Sequence, residues 1–166
     1  MKKRWRIYII IGVLFGVFDF YYQELTAGLF DSTSTSIWPF VEMVIVACSI
    51  WLVPVIPIII YESKVFESRI KSAIATVVTW SASIISYYIY MEFKVIFIGQ
   101  KSLPFMHISH SKESYYWNNV KSMLLGQVKA GIIEWIGVAV IGGFITGFLI
   151  SAIYLRLRKT RISTSD

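Results

Sequence analysis

Residues 12–24 read GVLFGVFDFYYQE: an apolar segment long enough, with what precedes it, to cross a bilayer, yet interrupted by Asp19 and closed by Gln23 and Glu24. A carboxylate inside such a segment is expensive. At helical spacing Gly12, Gly16, Asp19 and Gln23 share one face, so two positions that permit close backbone approach lie below two that need polar partners. That face must meet protein or water, not lipid. The stretch therefore implies more than one membrane helix.

The rest of the chain agrees. Of its 166 residues 56% are hydrophobic and the mean hydropathy is +0.64, outside the range of a soluble globular chain of this length. The net charge of +6 comes from bases at the ends of apolar runs, where they act as topology signals, so nucleic acid is not an expected partner. Cys48 has no second cysteine to pair with and is read as a packing residue. The opening MKKRWR resembles the start of a signal peptide, but Asp19 and the lack of a small-x-small site favour a retained helix.

The expected fold is all-α, a single integral membrane domain over residues 1–166: a four-helix transmembrane bundle with spans at about 7–25, 37–60, 72–91 and 131–155. Residues 31–36, DSTSTS, turn the chain after the first span. Pro39 suits a first helical turn, whereas Pro54 and Pro57 predict a bend late in the second span. Residues 61–71, YESKVFESRIK, predict a short charged helix at the membrane surface.

In the third span Ser72, Thr76, Thr79, Ser83, Ser86 and Tyr90 repeat at spacings of four and three. Such a seam serves close helix packing or lines a hydrated cavity, and packing is preferred because these hydroxyls can bond their own carbonyls. Gly143, Gly147 and Ser151 form a small-xxx-small stripe in the fourth span. Gly12, Gly16, Thr76, Thr79, Ser83, Ser86, Gly143 and Gly147 are thus the packing candidates. The outer loop, residues 95–130, is long enough to be functional; Tyr116, Val120, Met123, Leu124 and Gln127 predict an amphipathic surface helix over 111–128, anchored by Tyr115, Tyr116 and Trp117.

Orientation follows from charge. With the amino terminus inside, eleven basic residues lie on the inner side and five on the outer, which predicts a multi-pass protein of the cell membrane with both termini cytoplasmic. That topology gathers Asp19, Glu24, Glu42, Glu92 and Glu134 near the outer leaflet. Asp19, Glu24, Glu42 and Glu134 are the candidates for binding a ligand, cation or proton. The competing reading leaves Glu24, Glu42, Glu92 and Glu134 in the headgroup zone, solvated or paired with Lys94, Lys121 or Lys129. Asp19 lies too deep for that. His107, His110 and Glu113, spaced by three, form a candidate metal site, on a pattern that also arises by chance.

No catalytic residue is identifiable, since HExxH, GxSxG, CxxC, P-loop and dinucleotide motifs are missing, and no cofactor is expected. Three functions remain. The first is an accessory, immunity or regulatory subunit acting by helix packing with a membrane-protein partner or as a homo-oligomer within the lipid bilayer. The second is a small oligomeric cation or proton transporter or channel using the outer carboxylates. The third is an intramembrane enzyme acting on a lipid-linked substrate.

Overall fold

The computed structural model describes residues 2–29, 41, 45–46, 49–100 and 103–163. These residues are helical almost throughout, with no strand among them. We number the helices α1 (Lys2–Leu29), α2 (Leu52–Phe66), α3 (Arg69–Phe97), α4 (Tyr116–Met123) and α5 (Lys129–Ser163). Three helical segments, Lys3–Thr26, Arg69–Phe97 and Tyr116–Thr160, are long and apolar enough to cross a membrane, and the protein is a membrane protein. The amino-terminal half of the expected second span, with Pro39, Glu42 and Cys48, and the turn at 31–36 lie outside the described residues.

α3 is the centre of the molecule, with α1 and α5 packed along it and α2 lodged against α3 and α5. The small hydroxylated residues of α3 make this possible. Ser72, Thr76, Thr79, Ser83 and Ser86 are all buried. Thr76 donates to the Ser72 carbonyl at 3.0 Å and Thr79 to the Ala75 carbonyl at 2.9 Å, so neither needs water, while Ser86 reaches across to the Val13 carbonyl of α1 at 2.8 Å. The facing helices bring glycine to these points. A Cβ at Gly12 would collide with the Thr79 carbonyl oxygen, one at Gly16 with that of Ser83, and one at Gly147 would stand 2.7 Å from the Ala73 Cα. Gly143 meets the Trp80 ring, 3.1 Å from a built Cβ.

Of the two prolines expected to bend the second span, Pro57 lies inside α2 and Pro54 near its start. The chain turns at Ile50–Trp51 and α2 begins at Leu52, which leaves Pro54 in the first turn, where its missing N–H has no intrahelical partner to lose. Residues 61–71 are not a separate surface helix either. α2 continues through Glu62 and Ser63, both 0% exposed, and stops where Glu67 adopts the left-handed conformation (φ 48°) and donates its N–H to the Ser63 carbonyl. Ser68 then caps α3 by accepting from the Lys71 N–H at 3.4 Å. The charge of Glu62 did not carry the segment to the surface because it is met inside: the Tyr8 hydroxyl donates to Glu62 Oε1 at 2.6 Å and Arg4 Nη1 lies 3.4 Å from the same oxygen.

The outer segment folds back on α3. Tyr116, Val120 and Met123 are buried with Val95 and Met106, and Trp117 stays exposed. Leu124 and Gln127, expected on the same buried face, are exposed instead, and Val128 is buried. The cause is a π-helical turn at Leu124–Val128. Its extra residue makes the step from Met123 to the next buried position five rather than four.

Candidate functional site

Close approach of α1 to α3 at Gly12 and Gly16 fixes what lies one turn further along the same face. Asp19 is held at 2% exposure against α3, where it lines a cavity of about 270 Å³ together with Gln23, Trp51, Trp80, Tyr87, Tyr88 and Trp135. The Gln23 amide donates to Asp19 Oδ2 at 3.0 Å and its carbonyl oxygen accepts from the Tyr87 hydroxyl at 3.4 Å, which fixes the amide orientation. Asp19 Oδ1 has no hydrogen-bond partner among the described residues; the Trp51 side chain approaches the carboxyl without completing a bond.

The aromatic wall is held by its own contacts. Trp80 Nε1 donates to the Trp51 carbonyl at 2.9 Å, and the Trp51 ring sits edge-on to Trp80 at 5.5 Å and 6.0 Å from Trp135. Tyr88 lies on Gly131, where any side chain would strike its ring. The result is one carboxylate facing several π surfaces in a compartment of low polarity. Negative ring faces around an anion favour a cation with an apolar body.

The other acids do not join it. Glu24 takes both oxygens to Lys94 Nζ at 2.7 Å, and Lys94 in turn lies over the Phe20 ring at 4.6 Å. Glu134 is exposed on α5. Glu42 lies outside the described residues. Glu92, read as marking the water interface, is 6% exposed with neither carboxylate oxygen hydrogen-bonded among the described residues. It lies on α3 between Tyr88, which packs on Gly131, and Val95, which packs under α4, and α3 runs on past it to Phe97.

The histidines have local roles. His107 Nδ1 accepts from the Ser109 N–H at 3.2 Å, capping a short 3-10 turn, and His110 Nδ1 lies 3.8 Å from Glu113 Oε1 on the exposed surface. No three His, Cys, Asp or Glu side chains among the described residues are placed to hold a metal ion.

Two polar sites went unread in the sequence. One is the Arg4, Tyr8 and Glu62 cluster, with the Arg4 guanidinium 4.1 Å from the Phe66 ring. The other is a buried hydroxyl junction joining α2, α3 and α5: Ser63 donates to Ser151 at 2.7 Å and lies 3.0 Å from the Ser72 hydroxyl. Ser63 and Ser72 are nine residues apart, but the partners that tie in Glu62 and Ser151 lie more than fifty residues away and leave no local spacing to find. Nor does any periodicity single out Trp51, Trp80 and Trp135 as one wall. Compared with known protein families, curated proteins and solved structures, the chain matches none of them.

Proposed function

We propose that this is a four-span protein of the cell membrane, with both termini cytoplasmic, that binds a small amphipathic cation within the bilayer as the substrate site of a small transporter. The observation that carries the reading is Asp19: 2% exposed, one oxygen without a partner among the described residues, and facing an aromatic cavity of about 270 Å³. A carboxylate so placed is stabilised by a ligand that brings a positive charge, while the tryptophan and tyrosine rings take the ligand's apolar body.

Two features rank this reading above its competitors. The glycine and hydroxyl stripes that suggested an accessory, immunity or regulatory subunit are filled by neighbours within the chain itself. An intramembrane enzyme acting by a pair of carboxylates needs a second acid beside the first, and among the described residues Asp19 is the one acid in the cavity wall. Transport by so few helices calls for a homo-oligomer.

The test uses benzyltrimethylammonium, whose charged head and single ring suit the cavity, and neopentylbenzene, its uncharged isostere. Binding is followed by the fluorescence of the cavity tryptophans in detergent. The cation should quench and saturate, the isostere should bind at least about tenfold more weakly, and Asp19→Asn, which keeps shape and a hydrogen-bonding group, should remove that difference. Equal affinity of parent and Asp19→Asn for the cation would overturn the proposal. Uptake of the labelled cation into liposomes, lost in Asp19→Asn, tests transport separately from binding.

A further inference from the structure

At the end of the molecule opposite the aromatic cavity, α3 and α5 enclose a basic cleft. Arg69, Arg156, Arg158 and Lys159 line it with Glu67 and Leu155 around a volume of about 400 Å³. Arg158 Nη1 bonds Glu67 Oε1 at 3.1 Å, so that pair balances itself. Among the described residues no acid pairs with Arg69, Arg156 or Lys159, which leaves three positive charges on the cleft.

Depth and continuity say what kind of anion belongs there. Arg69 opens one membrane-crossing helix and Thr160 closes another, so the cleft lies where lipid phosphates lie. Along the same two helices, deeper in the bilayer, runs a second groove of about 380 Å³ lined wholly by apolar side chains, among them Ile74 and Val77 of α3 and Ile141, Phe144 and Ile145 of α5. The two are joined. Ile141, Ile145, Phe148, Leu155 and Lys159 follow one another at helical spacing along α5, and the Arg69 guanidinium lies over the Phe148 ring, 5.8 Å from its centre, between cleft and groove.

From this we infer that the α3–α5 seam is a binding site for one anionic phospholipid, its phosphate held by Arg69, Arg156 and Lys159 and an acyl chain lying over Ile74, Val77 and Ile145. Basic residues gathered between membrane helices at headgroup depth recognise a phosphodiester, and the apolar groove gives a lipid an advantage that a free phosphate lacks. The site is independent of the ligand proposed for the aromatic cavity, and it lies in the cytoplasmic leaflet on the topology proposed above.

The experiment measures the thermal unfolding midpoint of delipidated protein in a neutral detergent, read by tryptophan fluorescence, with phosphatidylglycerol, phosphatidylcholine or inorganic phosphate added. Phosphatidylglycerol should raise the midpoint of the parent by several degrees and the other two should not, because a ligand bound by the native state alone stabilises it. The triple variant Arg69→Gln, Arg156→Gln, Lys159→Gln should lose that rise, whereas Lys64→Gln, Lys112→Gln, Lys121→Gln, with the same charge removed elsewhere, should keep it. Arg156→Gln alone, on the exposed face of α5, replaces the triple variant if the latter does not fold. Ile145→Trp, which fills the groove without changing charge, should reduce the rise. The inference is overturned if inorganic phosphate matches the lipid, if the control triple loses as much as the site triple, if the site variant keeps the rise, or if Ile145→Trp leaves it intact.

Discussion

Glu62 is a fully buried carboxylate that sits in a segment rich in charge, and its stability depends on two residues of the first two helical turns. Tyr8 supplies a hydrogen bond of 2.6 Å and Arg4, 14% exposed, supplies the opposite charge. Removing one member leaves the other buried and uncompensated. Arg4→Met should therefore cost about 3 to 5 kcal/mol in detergent unfolding, and Arg4→Met with Glu62→Leu should cost markedly less than the sum of the two single changes. Strict additivity in that cycle would show that Arg4 and Glu62 do not interact. Tyr8→Phe, which deletes a bond to a charged acceptor, should cost about 1.5 to 3 kcal/mol. Asp19 differs from Glu62 in having no basic partner among the described residues, and the proposed ligand site rests on that difference.

Helices in this protein are placed by where small residues occur. Gly16 and Gly137 are both glycines inside long helices, yet a Cβ at Gly16 would strike the Ser83 carbonyl oxygen and stand 3.0 Å from the Ser86 Cβ, while one at Gly137 meets nothing within 4 Å. Gly16→Ala should destabilise by about 1 to 3 kcal/mol through overpacking. Gly137→Ala should leave stability unchanged or raise it by up to about 1 kcal/mol, since alanine is the better helix former. Equal effects at the two positions would mean that α1 does not approach α3 as closely as described. The π-turn invites a similar comparison. It holds one residue more than an α-helix would, so deleting Gly126, where a Cβ would meet nothing within 4 Å, should let Leu124–Val128 close into regular helix while Tyr116, Met123 and Gly131 keep their seats. Deleting Ile133 from the interior of α5 should instead rotate one end against the other by about 100° and lower the unfolding midpoint strongly. If both deletions are tolerated alike, the π-turn is not the joint between α4 and α5.

At the scale of the whole molecule, orientation is the property most directly tested. In a Cys48→Ala background, an impermeant thiol reagent added to intact cells should label Ser114→Cys and spare Ser163→Cys; the reverse pattern would invert the topology, and labelling of both would break the four-span count. The sequence by itself determined that the chain is helical and enters a membrane, because apolar length and a period near four are local properties that no distant contact can alter. The seam from Ser72 to Ser86 and the depth of Asp19 were legible for the same reason. Only the tertiary structure decided which polar groups meet. Glu62 finds Arg4 and Tyr8, Glu24 finds Lys94, and Asp19 finds Gln23 but, among the described residues, no cation. Even the step of five at Val128 depended on α4 seating against α3, since nothing in LLGQV distinguishes a π-turn from an α one. Pairing between helices is a matter of distance in space, and a sequence records distance along the chain.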